Sequence, residues 1–394
     1  MKILIALASS SGQLSGVQRH AINLARCLLM RDEVTQVHLV AAPWQQEFLR
    51  ALAPVADARV RLHSAPIGNS ARSRNLWFYR QLPHLAVQLS ADIVHLAYPA
   101  PICRRMFQCP VVATLHDLYP YDIPENFGFP KVFFNRAVLR QCLHSVDAVA
   151  CVSQSTLLRL HSMYPRIAPK CSTLIYNSVE PSSAGKNDGQ LPEWSHHSFL
   201  LCVAQHRRNK NVLLALKVFD RLLRSGALTL DSRMIVVGIP GPETAAIHRF
   251  IRTSGLNDRV LLLNGISEEH LQWSYRNCLL LLAPSIVEGF GLPVAEALLA
   301  GCSVVCSDIP SFRELGSSHC RYVPLGADQE QAFAEAIITT LHSLSPNPVA
   351  LPQLSPTTVA GEYMRLYRSL LPASFREQLL HASLTSAPTG QPFS

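Results

Sequence analysis

Short β-rich runs alternate with helical patterns from the first residues of this chain, and that alternation restricts the fold more than any other feature. Parallel strands need a crossover between them, so repeated strand–helix units build a parallel sheet with helices on both faces. The first series of strand-length runs lies at 2–7, 36–41, 59–63, 92–96, 111–115, 148–152 and 172–176, with helical segments at 16–30, 75–89 and 131–144. From Asn177 to His197 the apolar period lapses into Ser-Val-Glu-Pro-Ser-Ser-Ala-Gly-Lys-Asn-Asp-Gly, a linker composition. A second series follows at 199–204, 233–237, 260–263, 279–283, 303–307 and 321–323. The 394 residues also exceed what one core usually supports. The predicted fold is therefore α/β: two doubly wound, Rossmann-like domains, 1–180 and 198–356, joined by a linker at 181–197 and facing each other across a cleft. A helix at 357–371 is expected to cross back to the N-terminal domain, ahead of a mobile Ser/Thr/Pro-rich tail, 372–394. Ligands of such sheets bind beyond the carboxyl ends of the strands, where both halves contribute.

The first apolar run, 3–8, is too short for a signal-peptide core or a membrane span and reads as a buried strand, and the expected location is cytoplasmic. Eleven cysteines, scattered without a Cys-x-x-Cys pair, read as small buried hydrophobes rather than a disulfide framework. The net charge of +8 is uneven, because residues 1–180 hold 18 Lys+Arg against 10 Asp+Glu, whereas the remainder balances. That asymmetry fits either a solvated basic surface or a domain facing an anionic membrane or a diphosphate-bearing acceptor. Arg72, Arg74 and Arg80 interleave with Trp77, Phe78 and Tyr79, a pattern shared by membrane-surface helices and by core helices with a basic outer face. No zinc-finger, RNA-binding-sheet or basic-zipper signature is present, so nucleic acid is not an expected partner.

Four segments carry candidate chemistry. In Glu288-Gly-Phe-Gly-Leu-Pro-Val-Ala-Glu296, Gly289 and Gly291 allow close backbone approach and Pro293 suits the first helical residue. Glu288 then sits on a loop and Glu296 in the first helical turn, both beside a helix N-terminus that favours phosphate. Two hydroxyl-binding carboxylates next to an anion site suit a sugar nucleotide. The turn after the second domain's first strand, Gln205-His-Arg-Arg-Asn-Lys-Asn211, gathers Arg207, Arg208 and Lys210, with Asn209 or Asn211 available as a helix cap. Cations there would stabilise a leaving diphosphate. His116 closes the run 111–115, and Ser15-Gly16 opens the first helix, with Ser15 a candidate cap. The first loop has neither the Gly-x-Gly-x-x-Gly spacing of dinucleotide sites nor a Walker lysine.

Together these segments resemble the retaining nucleotide-sugar glycosyltransferases of family 4, which have the GT-B fold, and the resemblance covers most of the chain. It implies that Glu288 contacts the donor sugar's hydroxyls, that Glu296 binds the ribose, and that backbone around Gly289, Phe290, Gly291 and Leu292 holds the donor. It further implies that Lys210 with Arg207 or Arg208 binds the diphosphate, and that His116 sits beside the transferred sugar. On this basis His116, Glu288 and Lys210 are the catalytic candidates, with Gly16 added to the donor-binding set. Many members have Gly-Gly where this chain has Ser15-Gly16, and an arginine where it has Gln205.

The expected activity is metal-independent transfer of a hexose-type unit, with retention, from a UDP- or GDP-sugar to a sugar or lipid-linked sugar acceptor in envelope polysaccharide or glycolipid synthesis. No Asp-x-Asp metal motif is present, so basic side chains and helix N-termini are expected to neutralise the leaving group, and neither cofactor nor metal is called for. The N-terminal domain would be the acceptor side, and an anionic membrane surface at the inner face of the membrane is a candidate partner. A catalytically silent sugar-nucleotide-binding protein and a nucleotide-sugar epimerase are the alternatives.

Overall fold

Ile3, Ile5 and Leu7 line one face of the first strand and Leu4, Ala6 and Ala8 the other, and all six are fully buried. A strand with two apolar faces needs a helical layer on each. The computed structural model describes residues 1–373 except Ser11, Gln13, Leu14, Phe127, 168–170, 181–190 and 344–346, and the expected tail at 374–394 lies outside the described residues. In it, β1 (Lys2–Ala6), β2 (Gln36–Ala41), β3 (Val60–Ser64), β4 (Ile93–Leu96), β5 (Val111–Leu115), β6 (Ala148–Cys151) and β7 (Ser172–Leu174) form a seven-stranded sheet in the order β3-β2-β1-β4-β5-β6-β7. A six-stranded sheet, β10-β9-β8-β11-β12-β13, contains β8 (Phe199–Val203), β9 (Arg233–Val237), β10 (Val260–Leu263), β11 (Leu280–Ala283), β12 (Val304–Ser307) and β13 (Cys320–Val323). Every pairing is parallel. Two doubly wound sheets are what the alternation predicts, and each strand falls within two residues of its expected run.

In both sheets the chain reverses direction of growth beside its first strand, between β1 and β4 and between β8 and β11. Crevices open at such switch points. Here the two crevices face each other, held by contacts between the domains. The Glu314 carboxylate accepts the N–H groups of Gln154 (2.6 Å) and Ser155 (3.1 Å) at the N-terminus of the helix Gln154–Met163, complementing its dipole.

Two segments differ from expectation. The helix predicted at 75–89 begins at Ala71 and widens into a π turn at Trp77–Gln81 before Leu82–Gln88. Pro83 has no N–H to offer the preceding turn, which accounts for the widening. Trp77 and Phe78 are buried in the N-terminal core while Arg72, Tyr79 and Arg80 are exposed, so this is a core helix with a basic outer face, and Trp77 and Phe78 are unavailable to a membrane. In the expected linker, residues 181–190 lie outside the described residues, whereas Glu193–His196 forms a turn that buries Trp194 in the C-terminal core.

The last helix, Pro356–Leu370, starts at Ser355, whose hydroxyl accepts the Thr358 N–H. It returns to the N-terminal domain, where Tyr363 and Tyr367 are fully buried in the core that contains Ile3 and Ile5. Their hydroxyls meet Thr114 Oγ1 at 3.3 Å and His95 Nδ1 at 2.8 Å, so each large apolar ring brings a satisfied polar end into the core. Tyr363→Ala is expected to destabilise the protein by about 3 to 5 kcal/mol through the cavity it leaves, measured as a shift in the urea unfolding midpoint.

Candidate active site

Strand β11 ends before Pro284, and the chain reaches the helix Leu292–Leu299 through Gly291, whose φ of +106° is unfavourable for any residue with a Cβ. A Cβ there would also come within 2.8 Å of the Phe312 ring, and one on Gly289 would collide with the His116 carbonyl oxygen of the opposite domain. Protein atoms therefore already approach both glycines closely, and both also line the cavity between the sheets. The helix starts at Leu292, one residue before Pro293, so Glu296 lies in its second turn and not in the first as the sequence suggests.

Glu288 is 7% exposed and fully engaged. Lys210 Nζ lies 2.6 and 2.7 Å from its two carboxylate oxygens, Ser285 Oγ donates to Oε1 at 2.7 Å, and Tyr119 OH donates to Oε2 at 3.1 Å from the N-terminal domain. At this burial the ion pair stands because hydrogen bonds complete the carboxylate's coordination. Lys210 arrives through the turn after β8, where Asn211 takes a left-handed conformation at the N-cap position. Neither asparagine caps the helix as expected. Asn211 makes no side-chain cap bond, and the buried Asn209 instead ties this turn to its surroundings, accepting from Asn126 Nδ2 (3.1 Å) and receiving the Ile286 N–H on its carbonyl (2.8 Å).

Glu296 accepts the Tyr275 hydroxyl at 2.7 Å and faces Arg19 of the N-terminal domain at 4.0 Å, while Arg19 also meets Glu268 at 2.7 Å. Burial pushes the Glu296 carboxyl up to about 7, against the opposing pull of Arg19 and Tyr275. Burial likewise lifts Asp117 to about 6, and lowers His116 to about 4. His116 is therefore neutral at pH 7. Its Nε2 lies 2.8 Å from the Ala97 carbonyl oxygen, which only accepts, so Nε2 carries the proton and Nδ1 is left as an acceptor.

These groups surround a cavity of about 610 Å³ between the sheets. Gly16, His116, Arg207, Lys210, Glu288, Gly289, Phe290, Gly291, Leu292 and Glu296 all line it, whereas Arg208 is exposed away from it. Beside Gly16 an added Cβ would meet no protein atom within 4 Å, so packing does not require a glycine there. Ser15 occupies the N-cap position of the helix Gly16–Leu29, its N–H donating to Gln18 Oε1 at 2.7 Å. Sequence reasoning missed Arg19, Tyr119 and Asn177 on the cavity wall. Arg19 lies three residues after Gly16, one turn along the same helix face, a signal that was available. Tyr119 carries none, since its role depends on an oxygen in the other domain.

Two family models match the chain in succession: Glycosyltransferase Family 4 over residues 14–183 and Glycosyl transferases group 1 over residues 186–347. The chain belongs to the family 4 glycosyltransferases. Among its relatives is the O-antigen chain mannosyltransferase RfbU of Salmonella typhimurium, 27% identical over 57% of this chain and 59% of that protein, so the match spans little more than half of that relative. The O-antigen chain mannosyltransferase B of Escherichia coli is 24% identical over 80% of this chain and 84% of its own length. The GDP-mannose:cellobiosyl-diphosphopolyprenol alpha-mannosyltransferase of Xanthomonas campestris is 27% identical over 43% of each chain. Crystal structures of WaaG, a glycosyltransferase involved in lipopolysaccharide biosynthesis (TM-score 0.65, 16% identity), and of Anabaena HepE with UDP-glucose (0.63, 18%) each superpose on 98% of this chain and cover all of theirs. The GT-B fold of this family 4 chain is thereby established.

The raised Glu296 carboxyl makes a prediction for the unliganded protein. The folded state holds this proton up to about pH 7 and the unfolded state releases it near 4.5, so this group's contribution to stability falls as pH rises between those values. Glu296→Gln, which imitates the protonated form, is expected to gain melting temperature relative to the wild type at pH 8 and to gain less at pH 4.5, as read by circular dichroism.

Proposed function

We propose that this protein transfers a hexose-type sugar from a nucleotide diphosphate to an acceptor hydroxyl with retention of configuration, in the synthesis of an envelope polysaccharide or glycolipid. One observation carries the reading: two carboxylates, Glu288 and Glu296, and two cations, Lys210 and Arg207, face a single cavity at the opposed switch points of two Rossmann-like sheets. The relatives' names support the hexose and the pathway class, one of them specifying GDP-mannose and a diphosphopolyprenol-linked acceptor.

In this proposal the donor's diphosphate lies against Lys210 and Arg207. The bond between the anomeric carbon and the phosphate oxygen breaks with its electron pair passing to the diphosphate, whose growing charge these cations offset. The acceptor oxygen bonds the anomeric carbon on the same face and its proton passes to the departing phosphate oxygen. Glu288, already held by Lys210, Ser285 and Tyr119, accepts from the donor sugar's hydroxyls without reorganising. Neutral His116 accepts a sugar hydroxyl at Nδ1, and Glu296 accepts from the ribose. Neither carboxylate serves as the nucleophile. The leaving-group charge is met by side chains and helix N-termini, so the reaction is proposed to need no metal.

Lys210→Ala and Glu288→Ala are each expected to lower transfer by at least about 100-fold while keeping the wild-type circular dichroism spectrum. Near-normal turnover in either would remove the role assigned to it. GDP-mannose, other GDP-sugars and UDP-sugars are to be screened by thermal shift, since a ligand of the folded state raises the melting temperature. Conversion of a donor in the absence of acceptor would indicate an epimerase, and binding with neither transfer nor hydrolysis across an acceptor panel would indicate a silent binder. With the true donor, excess EDTA is expected to leave the rate unchanged.

A further inference from the structure

The largest exposed aromatic cluster of the N-terminal domain lies where the sequence drew no attention. Phe129 is 84% exposed, Phe133 58% and Phe134 67%, and the rings of Phe129 and Phe133 pack edge to face at 5.8 Å. Three neighbouring phenylalanines left in water at the head of one helix, Lys131–Ser145, are unusual for a soluble surface. This helix has no acidic residue: Lys131, Arg136 and Arg140 are its charged side chains. Arg136 is committed to the fold, donating to the Pro120 carbonyl at 2.8 Å and lying over the Tyr121 ring. Lys131 and Arg140 are exposed and have no carboxylate partner among the described residues.

The cluster is joined directly to the site. Arg136 anchors the helix to Tyr119–Asp122, whose Tyr119 hydroxyl reaches Glu288, and Asn126, three residues before Phe129, bonds Asn209 beside Lys210. A surface that engages here is linked through Tyr119 and Asn209 to the wall of the cavity.

We infer that Phe129, Phe133 and Phe134, flanked by Lys131 and Arg140, form a docking surface for an anionic lipid bilayer, which the rings enter to interfacial depth while the two cations meet the headgroups. Two exposed cations without a carboxylate partner among the described residues, beside unburied rings, complement a surface that is apolar below and negative above. The inference rests on the proposed reading in one respect: a lipid-linked acceptor is what such a surface would serve. It relocates membrane contact from the Trp77–Tyr79 segment, whose rings Trp77 and Phe78 are buried, to a different helix.

The test needs neither donor nor acceptor, so it stands or falls separately from the transfer reaction. The full chain is floated with phosphatidylcholine vesicles containing 30% phosphatidylglycerol, and with phosphatidylcholine alone. The wild type is expected to bind the anionic vesicles and to lose binding in 0.5 M salt. Substituting all three phenylalanines by serine is expected to reduce that binding at least about tenfold, and Lys131→Glu with Arg140→Glu to reduce it about fivefold or more per charge. Both variants are expected to keep the wild-type circular dichroism spectrum and melting temperature. Absence of wild-type binding to anionic vesicles would overturn the inference, as would wild-type affinity in the triple variant. Sedimentation velocity supplies the remaining arm: a wild-type dimer that the triple variant converts to monomer would make the cluster a self-association surface and refute the lipid assignment.

Discussion

The close approach of the Gly289 backbone to the carbonyl of His116 sets the geometry on which the rest of this structure depends. No side chain fits between them. The Gly289 carbonyl in turn accepts Ser153 Oγ at 2.5 Å and Thr156 Oγ1 at 3.1 Å, so a loop of the second domain is clasped by hydroxyls of the first. Because Glu288 precedes that glycine and His116 supplies the opposing carbonyl, the same contact brings the acidic loop and the histidine to one place. Tyr119 then reaches Glu288, and the cavity between the sheets acquires walls from both domains.

Charge inside that cavity is arranged before any ligand enters. Lys210 and Glu288 neutralise each other, and Arg19 offsets part of the cost of burying Glu296 and is itself shared with Glu268. Burial dominates nonetheless, which is why Glu296 and Asp117 bind protons well above the usual carboxylate range. A neutral His116 and a carboxylate already fixed by three donors present acceptors for hydroxyls rather than a free base or a nucleophile. The arrangement suits holding a polyhydroxylated, anionic molecule more than attacking it.

The last helix shows how the two-domain chain is closed on itself. It follows the second sheet in sequence but supplies Tyr363 and Tyr367 to the core of the first, where their hydroxyls join Thr114 and His95 beneath the cleft. Stability of the N-terminal domain is thereby linked to residues at the far end of the chain.

Sequence alone determined the two parallel sheets, because strands buried on both faces must read as short apolar runs between helical ones, and it marked Glu288, Glu296, Lys210 and His116, because loops at strand ends carry their chemistry in a few adjacent residues. It also showed that the 72–80 segment is aromatic and basic. Only the tertiary structure decided that Trp77 and Phe78 face inward while Phe129, Phe133 and Phe134 face out, since burial depends on what packs against a helix and not on the helix's own composition. Only the tertiary structure put Arg207 and not Arg208 on the cavity wall, started the helix one residue earlier so that Glu296 falls in its second turn, and brought protein atoms of His116 and Phe312 against Gly289 and Gly291. Each of those outcomes rests on a distance between residues far apart in the chain, and such a distance comes into being only when the two domains come together.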